Sequence, residues 1–486
     1  MAEAEVVDDG EDAEASASAS ASASSRPRVR ALVLASSASF LVTLDLLIVT
    51  TALDTVREDL GAPISTLQWV LTAYSVPFAC LLLTGAALGD RFGRRRMFAV
   101  GVALFVAGSA MAAVSGSIGA LIAARVVQGA GGALVLPVGL AIVSSVFPPE
   151  RRGQAIGILE GIEGMAVIAG PLLGGLIAAH LSWQWIFWIN VPIGLVVIPL
   201  VLTSLEESYG RDETLDGRGL VLATAAAFGL VWGLVRGNEV GWTSPQIVGA
   251  LVAGVLAGVL FVWWEARAEE PMLPMWFFGS RRFSAGLAAS FLLLASLYSC
   301  VFFIAQFLQI GLGHGPLVAG LMLLPWTATL LLVAPAAGAL ADRVGERPIL
   351  IVGLTLQAAG VAWLAFVAEA GASYWAVLGP FLVAGVGCSM AVPVTQVAVV
   401  GAVDPDEVGK AAGANNMFQE LGGALGIAVT VAVFANAGSD ASAADFISGF
   451  RPAIAVAAAL AAIGAFVALS LPRRRTAEAG SPFDAT

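Results

Sequence analysis

Charge is scarce in this chain. Asp, Glu, Lys and Arg make up 12% of its 486 residues, about half the roughly 25% of a soluble globular protein. Of the 24 basic residues only Lys410 is a lysine. The formal charge is −11 and no basic stripe exists, which excludes a nucleic-acid partner. The three cysteines, Cys80, Cys300 and Cys388, lie inside apolar runs without CxxC spacing. They support neither a disulfide framework nor a metal site. The two histidines, His180 and His314, fall at helix ends or outer loops, so a histidine proton relay is not expected. There is no Gly-x-x-x-x-Gly-Lys-Ser/Thr loop, no His-Glu-x-x-His and no Gly-x-Ser-x-Gly. ATP is therefore not expected to drive this protein, and no enzyme constellation stands out.

What the chain has in abundance is apolar surface, with 58% hydrophobic residues. A water-soluble core stops growing near about 250–300 residues, so that surplus has no interior to enter. A bilayer span needs about 20 mostly apolar residues. Fourteen such stretches occur: 31–53, 67–88, 97–115, 117–146, 153–179, 184–203, 219–235, 246–264, 284–310, 317–337, 349–368, 374–401, 410–435 and 452–471. They are expected to be helices, because lipid cannot satisfy free backbone groups.

Basic residues orient the spans. Cytoplasmic termini place 20 of the 24 inside, in the tails and alternate loops, leave Arg57, Arg236 and Arg451 outside, and put Arg125 within a span. The reverse topology inverts that split. Residues 1–30 carry an acidic stretch and an Ala-Ser repeat without an apolar core, so they read as a disordered cytoplasmic tail rather than a signal peptide.

The chain also repeats itself weakly. Ala87-Leu88-Gly89-Asp90-Arg91-Phe92-Gly93 returns 252 residues later as Ala339-Leu340-Ala341-Asp342-Arg343-Val344-Gly345. Gly129, Gly131 and Pro137 return 256 residues later as Gly385, Gly387 and Pro393, and Gly153, Ala155 and Gly157 as Gly409, Ala411 and Gly413. The expected organisation is a tail (1–30), a six-helix bundle (31–203), a linker with two extra helices (204–283), a second six-helix bundle (284–471) and a cytoplasmic tail (472–486). Pseudo-symmetric halves suggest a transporter whose central site rocks between two faces.

Gly85-Ala-Ala-Leu-Gly89-Asp90-Arg91-Phe92-Gly93-Arg94-Arg95-Arg96 resembles the signature loop between helices 2 and 3 of the major facilitator superfamily. Arg125-Val-Val-Gln128-Gly129-Ala-Gly131-Gly132 resembles its helix-4 motif. Gly157 followed by Gly170-Pro171-Leu-Leu-Gly174-Gly175 resembles its helix-5 antiporter motif, with Ala166 where another glycine is usual. Leu44-Asp45 with Ala52-Leu53, Gln68-Trp69-Val-Leu-Thr-Ala-Tyr74, and Trp183 through Gly194 resemble the fourteen-helix drug:proton antiporters, although Asp54 stands where a proline is usual. The resemblance covers about residues 31–471. It implies an all-α membrane protein of the major facilitator fold. It implies exchange of small amphipathic or aromatic toxic compounds or antibiotics for protons, as a monomer without a cofactor. The Arg-over-Lys, Ala- and Gly-rich composition fits a bacterial inner-membrane protein.

Charges at membrane depth cost several kcal/mol and usually serve function. Asp45 and Arg125 each lie eight residues from the outer end of their spans, roughly 12 Å deep at about 1.5 Å per residue, so they can meet. Burial favours a neutral aspartate and a neighbouring guanidinium favours a charged one, which makes Asp45 a candidate for loading and releasing a proton. A static ion pair joining spans 1 and 4 is the plain alternative. Glu160 and Glu163 lie three apart on one helical face and are expected to share a proton. They could bind a cation, couple a proton, or only hydrate a vestibule. The repeat places Asn416 and Gln419 at the equivalent positions of span 13, with Glu420 beside them. Gln128, Tyr74 and Phe302 complete the candidate substrate contacts. Asp90 ends helix 2 and can bond Arg91, Arg94 or the positive end of a nearby helix. With Gly89 and Gly93 these residues form the expected gate. The helix-5 glycines thin one side of the span for sliding contact, and Pro171 permits a kink. Rival readings on the same residues are a dedicated exporter of one self-made antibiotic, nutrient uptake, and a membrane sensor or scaffold that transports nothing.

Overall fold

A computed structural model describes residues 9–49, 53–61, 64–210, 216–439 and 441–473. Every element among them is helical. Fourteen long helices carry the expected spans: α1 (Asp9–Ile48), α2 (Ile64–Phe92), α3 (Arg94–Ala113), α4 (Ile118–Val146), α5 (Pro149–His180), α6 (Asn190–Ser204), α7 (Gly217–Val240), α8 (Pro245–Glu265), α9 (Arg281–Gln306), α10 (Leu324–Val344), α11 (Glu346–Val367), α12 (Tyr374–Val400), α13 (Val408–Ala437) and α14 (Ala443–Ala468). Among the described residues, thirteen of these segments are long and apolar enough to cross a membrane. The 32-residue α5 supplies the remaining crossing by length.

Differences from the sequence reading are local. Helix α1 begins at Asp9, inside the stretch expected to be a disordered tail. Alanine carries the highest helix propensity, and an Ala-Ser run extends a helix it cannot itself anchor. The sixth span is broken into Trp185–Trp188 and α6. The tenth is broken into Pro316–Met322 and α10, where Pro325 near the start of α10 offers no N–H to the preceding turn. Helix α14 starts at Ala443 and contains Arg451, which bonds the Ala368 carbonyl at 2.9 Å.

The repeat is realised in the packing. Helix α1 packs on α5, α2 on α4, and α3 on α4 and α6; in the same order α9 packs on α13, α10 on α12, and α11 on α12 and α14. Single residues obey the same symmetry. Gly93 and Gly345, 252 apart, both turn the chain at positive φ, 100° and 88°, where a side chain would be strained. Gly129 of α4 lies against the backbone of Tyr74 on α2, and Gly385 of α12 against that of Trp326 on α10; an added Cβ would stand 3.2 and 3.1 Å from the respective Cα atoms. These are two pseudo-symmetric six-helix bundles.

The halves meet through α5 on α10 and, by symmetry, α13 on α2. The extra helices α7 and α8 pack on one another, and α7 also packs on α2 and α13. Val76, Ala79 and Cys80 of α2, Ala227, Val231 and Trp232 of α7, and Leu421 of α13 form one apolar cluster. The rings of Trp69 and Trp232 lie 5.0 Å apart.

Candidate functional site

Asp45 and Arg125 meet. The Arg125 guanidinium donates through Nη1 to Asp45 Oδ2 and, at 2.9 Å, to Gln128 Oε1. Its Nε donates to the Val70 carbonyl at 3.2 Å. The Gln128 amide donates to Asp45 Oδ1 at 3.1 Å and to Ser109 Oγ at 2.6 Å. Asn190, at the start of α6, donates to the same Asp45 oxygen at 2.9 Å. Five side chains from α1, α3, α4 and α6 are thereby joined, and none is more than 1% exposed. Removing one member of a buried, hydrogen-bonded ion pair leaves the other uncompensated at a cost of about 3–5 kcal/mol, so these groups must be kept or lost together. Ser109 and Asn190 were not among the expected site residues. Asn190 carried a signal, being the lone amide opening an apolar run.

A separate cavity of about 170 Å³ lies between the halves. Glu160, Glu163 and Gly164 of α5 line it from one half; Asn416, Gln419 and Glu420 of α13 line it from the other. Thr43 of α1, Tyr74 of α2, Tyr298 of α9 and Gln396 of α12 complete its polar wall, and leucines, valines and Phe78 cover much of the rest. Glu160 faces Gln396 and Glu163 faces Ser39. Tyr298 donates to Glu420 at 3.2 Å. Gln396 accepts from Asn415 at 2.6 Å and donates to Asn416 at 3.2 Å. Gln419 donates to Ser290 at 2.9 Å. Among the described residues the lining contains three carboxylates and no Lys, Arg or His. Tyr298 and Gln396 were missed, although a polar group inside an apolar span was available as a signal.

Two expected substrate contacts lie elsewhere. Gln128 is fully buried in the Asp45 network and does not line the cavity. Phe302 is 41% exposed and is likewise absent from the lining. Leu294, Leu297 and Tyr298 present α9 to the cavity; Phe302 stands one turn beyond Tyr298, about 40° further round the helix, with its ring against Phe303 at 5.1 Å.

At the end of the bundle that carries the basic loops, Arg94 donates to Asp90 at 2.9 Å, and both are buried. The Asp90 carboxylate rests on Gly409, where a Cβ would collide with it. Gly409 is in the first turn of α13, so the acid sits at that helix's positive end. Gly89 packs on Val138, Gly93 makes the turn between α2 and α3, and Arg91 is exposed. Residues 205–210, not anticipated here, strap this loop. Ser208 accepts from Arg94 N at 2.8 Å and Gly210 N donates to the Asp90 carbonyl at 3.0 Å. Glu207 accepts from Arg95 N at 2.8 Å and pairs with the Arg96 side chain at 3.4 Å. On the helix-5 motif, an added Cβ at Gly157 would lie 2.9 Å from Pro335 of α10, and one at Gly170 would lie 2.8 Å from Leu47 of α1. Gly174 is buried, and α5 runs unbroken through Pro171 and Gly175. The side-chain surroundings of those two lie outside the described residues.

Known proteins resemble this chain over most of its length. The family model of the Major Facilitator Superfamily matches residues 35–314 and 286–485. A "Tetracenomycin C resistance and export protein" of Streptomyces glaucescens is 36% identical, over 80% of this chain and 72% of its own. A "Multidrug resistance protein Stp" of Mycobacterium tuberculosis is 35% identical, over 82% and 74%. Among solved structures, the proton:xylose symporter XylE superposes with a TM-score of 0.66 at 15% identity, covering 92% of this chain and 97% of its own.

Proposed function

This chain belongs to the major facilitator superfamily, and within that family we propose that it exports small amphipathic or aromatic cations in exchange for protons by alternating access. It is a multi-pass membrane protein, and one copy holds the whole cavity. The proposed transporter is therefore a monomer in a bacterial inner membrane, with cytoplasmic termini and no cofactor beyond the proton gradient.

One observation carries the reading: a cavity at the junction of the halves whose charged groups are all acids. An ionised carboxylate in a largely apolar wall attracts a desolvated cation far better than it would in water. The same carboxylate, once protonated, has lost that attraction. In the cycle, Glu160, Glu163 and Glu420 face the cytoplasm and the ionised members of this group take up a cation, with Tyr74, Tyr298 and Phe78 offering aromatic faces. After the halves rock, outside protons bind those acids and the cation leaves outward. The protons are delivered inside on return. Exchange requires that each ligand prefer a different conformation; each tenfold difference is worth about 1.4 kcal/mol. Asp45 and Arg125, sealed from the cavity in this conformation, act as a second protonation element within the first half. The named relatives, one for multidrug resistance and one for tetracenomycin C export, support export. The latter also favours a second reading, a dedicated exporter of one antibiotic on the same site.

Inverted vesicles with a pH-sensitive dye test both readings. Collapse of the proton gradient on adding ethidium or a quaternary ammonium compound, dependent on the protein, is the expected result. The paired variant Glu160→Gln with Glu163→Gln is expected to lose at least tenfold in cation-induced proton release. Collapse by one neutral antibiotic and by no cation would favour the dedicated exporter. A double variant with unchanged selectivity and pH dependence would remove the acids from the site.

A further inference from the structure

The Asp45–Arg125 network and the central cavity are separate, yet one side chain touches both. Tyr74 lines the cavity, and its ring centroid lies 4.3 Å from the Arg125 guanidinium carbon. Its hydroxyl donates to the Val42 carbonyl of α1 at 3.0 Å, and Val42 is itself a cavity-wall residue. The ring stacks on Phe78, another wall residue, at 5.8 Å. Tyr74 occupies a slot cut by glycines of α4. A Cβ at Gly129 would strike its backbone, and one at Gly132 would stand 3.1 Å from its hydroxyl. The charged groups that act on it are Asp45 of α1, Arg125 of α4 and Glu420 of α13. The neighbours of Asp45 from α3 and α6, Ser109 and Asn190, are uncharged.

We propose that Tyr74 is the positioning residue through which the charge state of the sealed Asp45–Arg125 pair reshapes the cavity wall. The inference rests on the proton-exchange reading above. While Asp45 is ionised, its carboxylate answers the guanidinium and the tyrosine ring adds to a charge already balanced. When Asp45 takes a proton, Arg125 becomes an unbalanced cation in a dry site. The electron-rich face nearest to it is the Tyr74 ring, since attraction to a π face strengthens when the cation is desolvated. A ring drawn toward Arg125 pulls on its bond to Val42 and on its stack with Phe78, so both wall residues follow. The aromatic face is the working part, and the hydroxyl fixes its resting position.

The test reads conformation in the full chain without drug. Probes at Phe92→Cys and Val344→Cys, both exposed and at the basic ends of α2 and α10, report separation of the halves in lipid nanodiscs as pH is varied. The parent chain is expected to shift between closed and open with pH, and Asp45→Asn to lose most of that shift. Tyr74→Phe, which keeps the ring, is expected to retain a shift of similar size. Tyr74→Leu is expected to reduce it at least fivefold. Should the leucine variant fail to fold, Gly132→Ala crowds the hydroxyl from beneath and is expected to move the midpoint; an unmoved midpoint overturns the proposal. So does a leucine variant that follows the parent curve, or a phenylalanine variant as flat as leucine. A parent chain that does not respond to pH overturns the proton-exchange reading itself, and Tyr74's role with it.

Discussion

The two contacts that join the halves are related by the repeat, yet they are fastened differently. On one side Asp342 of α10 accepts from Gly153 N and Gln154 N in the first turns of α5, at 3.0 and 3.1 Å. Below it the helices touch through glycine: a Cβ at Gly153 would lie 2.6 Å from the Gly338 carbonyl, and Gly157 and Gly161 continue the contact toward Pro335 and Leu331. On the other side Asp90 of α2 rests on Gly409 of α13, but it is also bound by the buried Arg94. It is crossed by the 205–210 strap, and further along the helices α7 packs on both α2 and α13. Thus the α5–α10 contact adds backbone-to-backbone packing to its aspartate cap, whereas on the α2–α13 side, the latch, the aspartate resting on α13 is also ion-paired with Arg94 of its own half. An aspartate that depends on a counter-charge is the one that a change of charge can dislodge.

Substituting the two equivalent acids breaks this comparison most directly. Asp90→Asn leaves Arg94, 2% exposed, without its counter-charge, and an uncompensated buried charge costs about 3–5 kcal/mol. Asp342→Asn weakens the cap on the first turn of α5, worth about 0.5–2 kcal/mol. The expected outcome is a loss of efflux of tenfold or more for Asp90→Asn and of only a few-fold for Asp342→Asn, measured as ethidium export from cells at equal expression. Equal losses would mean that the two contacts do the same work despite their different construction.

Much of this asymmetry was hidden in the sequence, for physical reasons. Span count and topology were legible because apolar length and arginine placement act locally. The repeat was legible because glycines at close contacts and at positive φ admit no substitute, as Gly93 and Gly345 show. The meeting of Asp45 with Arg125 followed from equal depth. Depth along a helix is readable from a count of residues, but rotation about its axis is not. Depth alone therefore admits Gln128 and Phe302 to a cavity they do not line, and does not single out Tyr298 and Gln396, which do line it. The strap left no trace, since Glu207 is an ordinary loop acid until the fold carries it to Arg95.

The glycine contact sets the next expected difference. At Gly157 an added methyl would meet the backbone of Ala334 and Pro335, which has nowhere to go. At the equivalent Gly413 it would meet the Ala86 side chain at 2.5 Å and the Leu83 Cα at 3.3 Å. Overpacking costs roughly 1–3 kcal/mol, with the larger values where backbone must shift. Gly157→Ala is therefore expected to lower the thermal unfolding temperature in detergent by more than Gly413→Ala. The opposite order would place the tighter contact on the latch side.

The smallest effect belongs to the strap, and it separates the latch from its cover. Glu207 is 14% exposed, Arg95 27% and Arg96 61%, so solvent screens these pairs and each contributes at most about 1 kcal/mol. Glu207→Gln should leave the Arg94–Asp90 pair intact and loosen only residues 205–210. The Gly210 amide donates to the Asp90 carbonyl and the Arg94 amide to the Ser208 carbonyl, so both report on the strap directly. An increase of about fivefold in their hydrogen exchange is expected from a loss of about 1 kcal/mol, with exchange at the first turn of α5 unchanged. If the variant accelerates exchange equally at Gly153 and Gln154, the two contacts are not independent, and the division between a fixed contact and a releasable one fails.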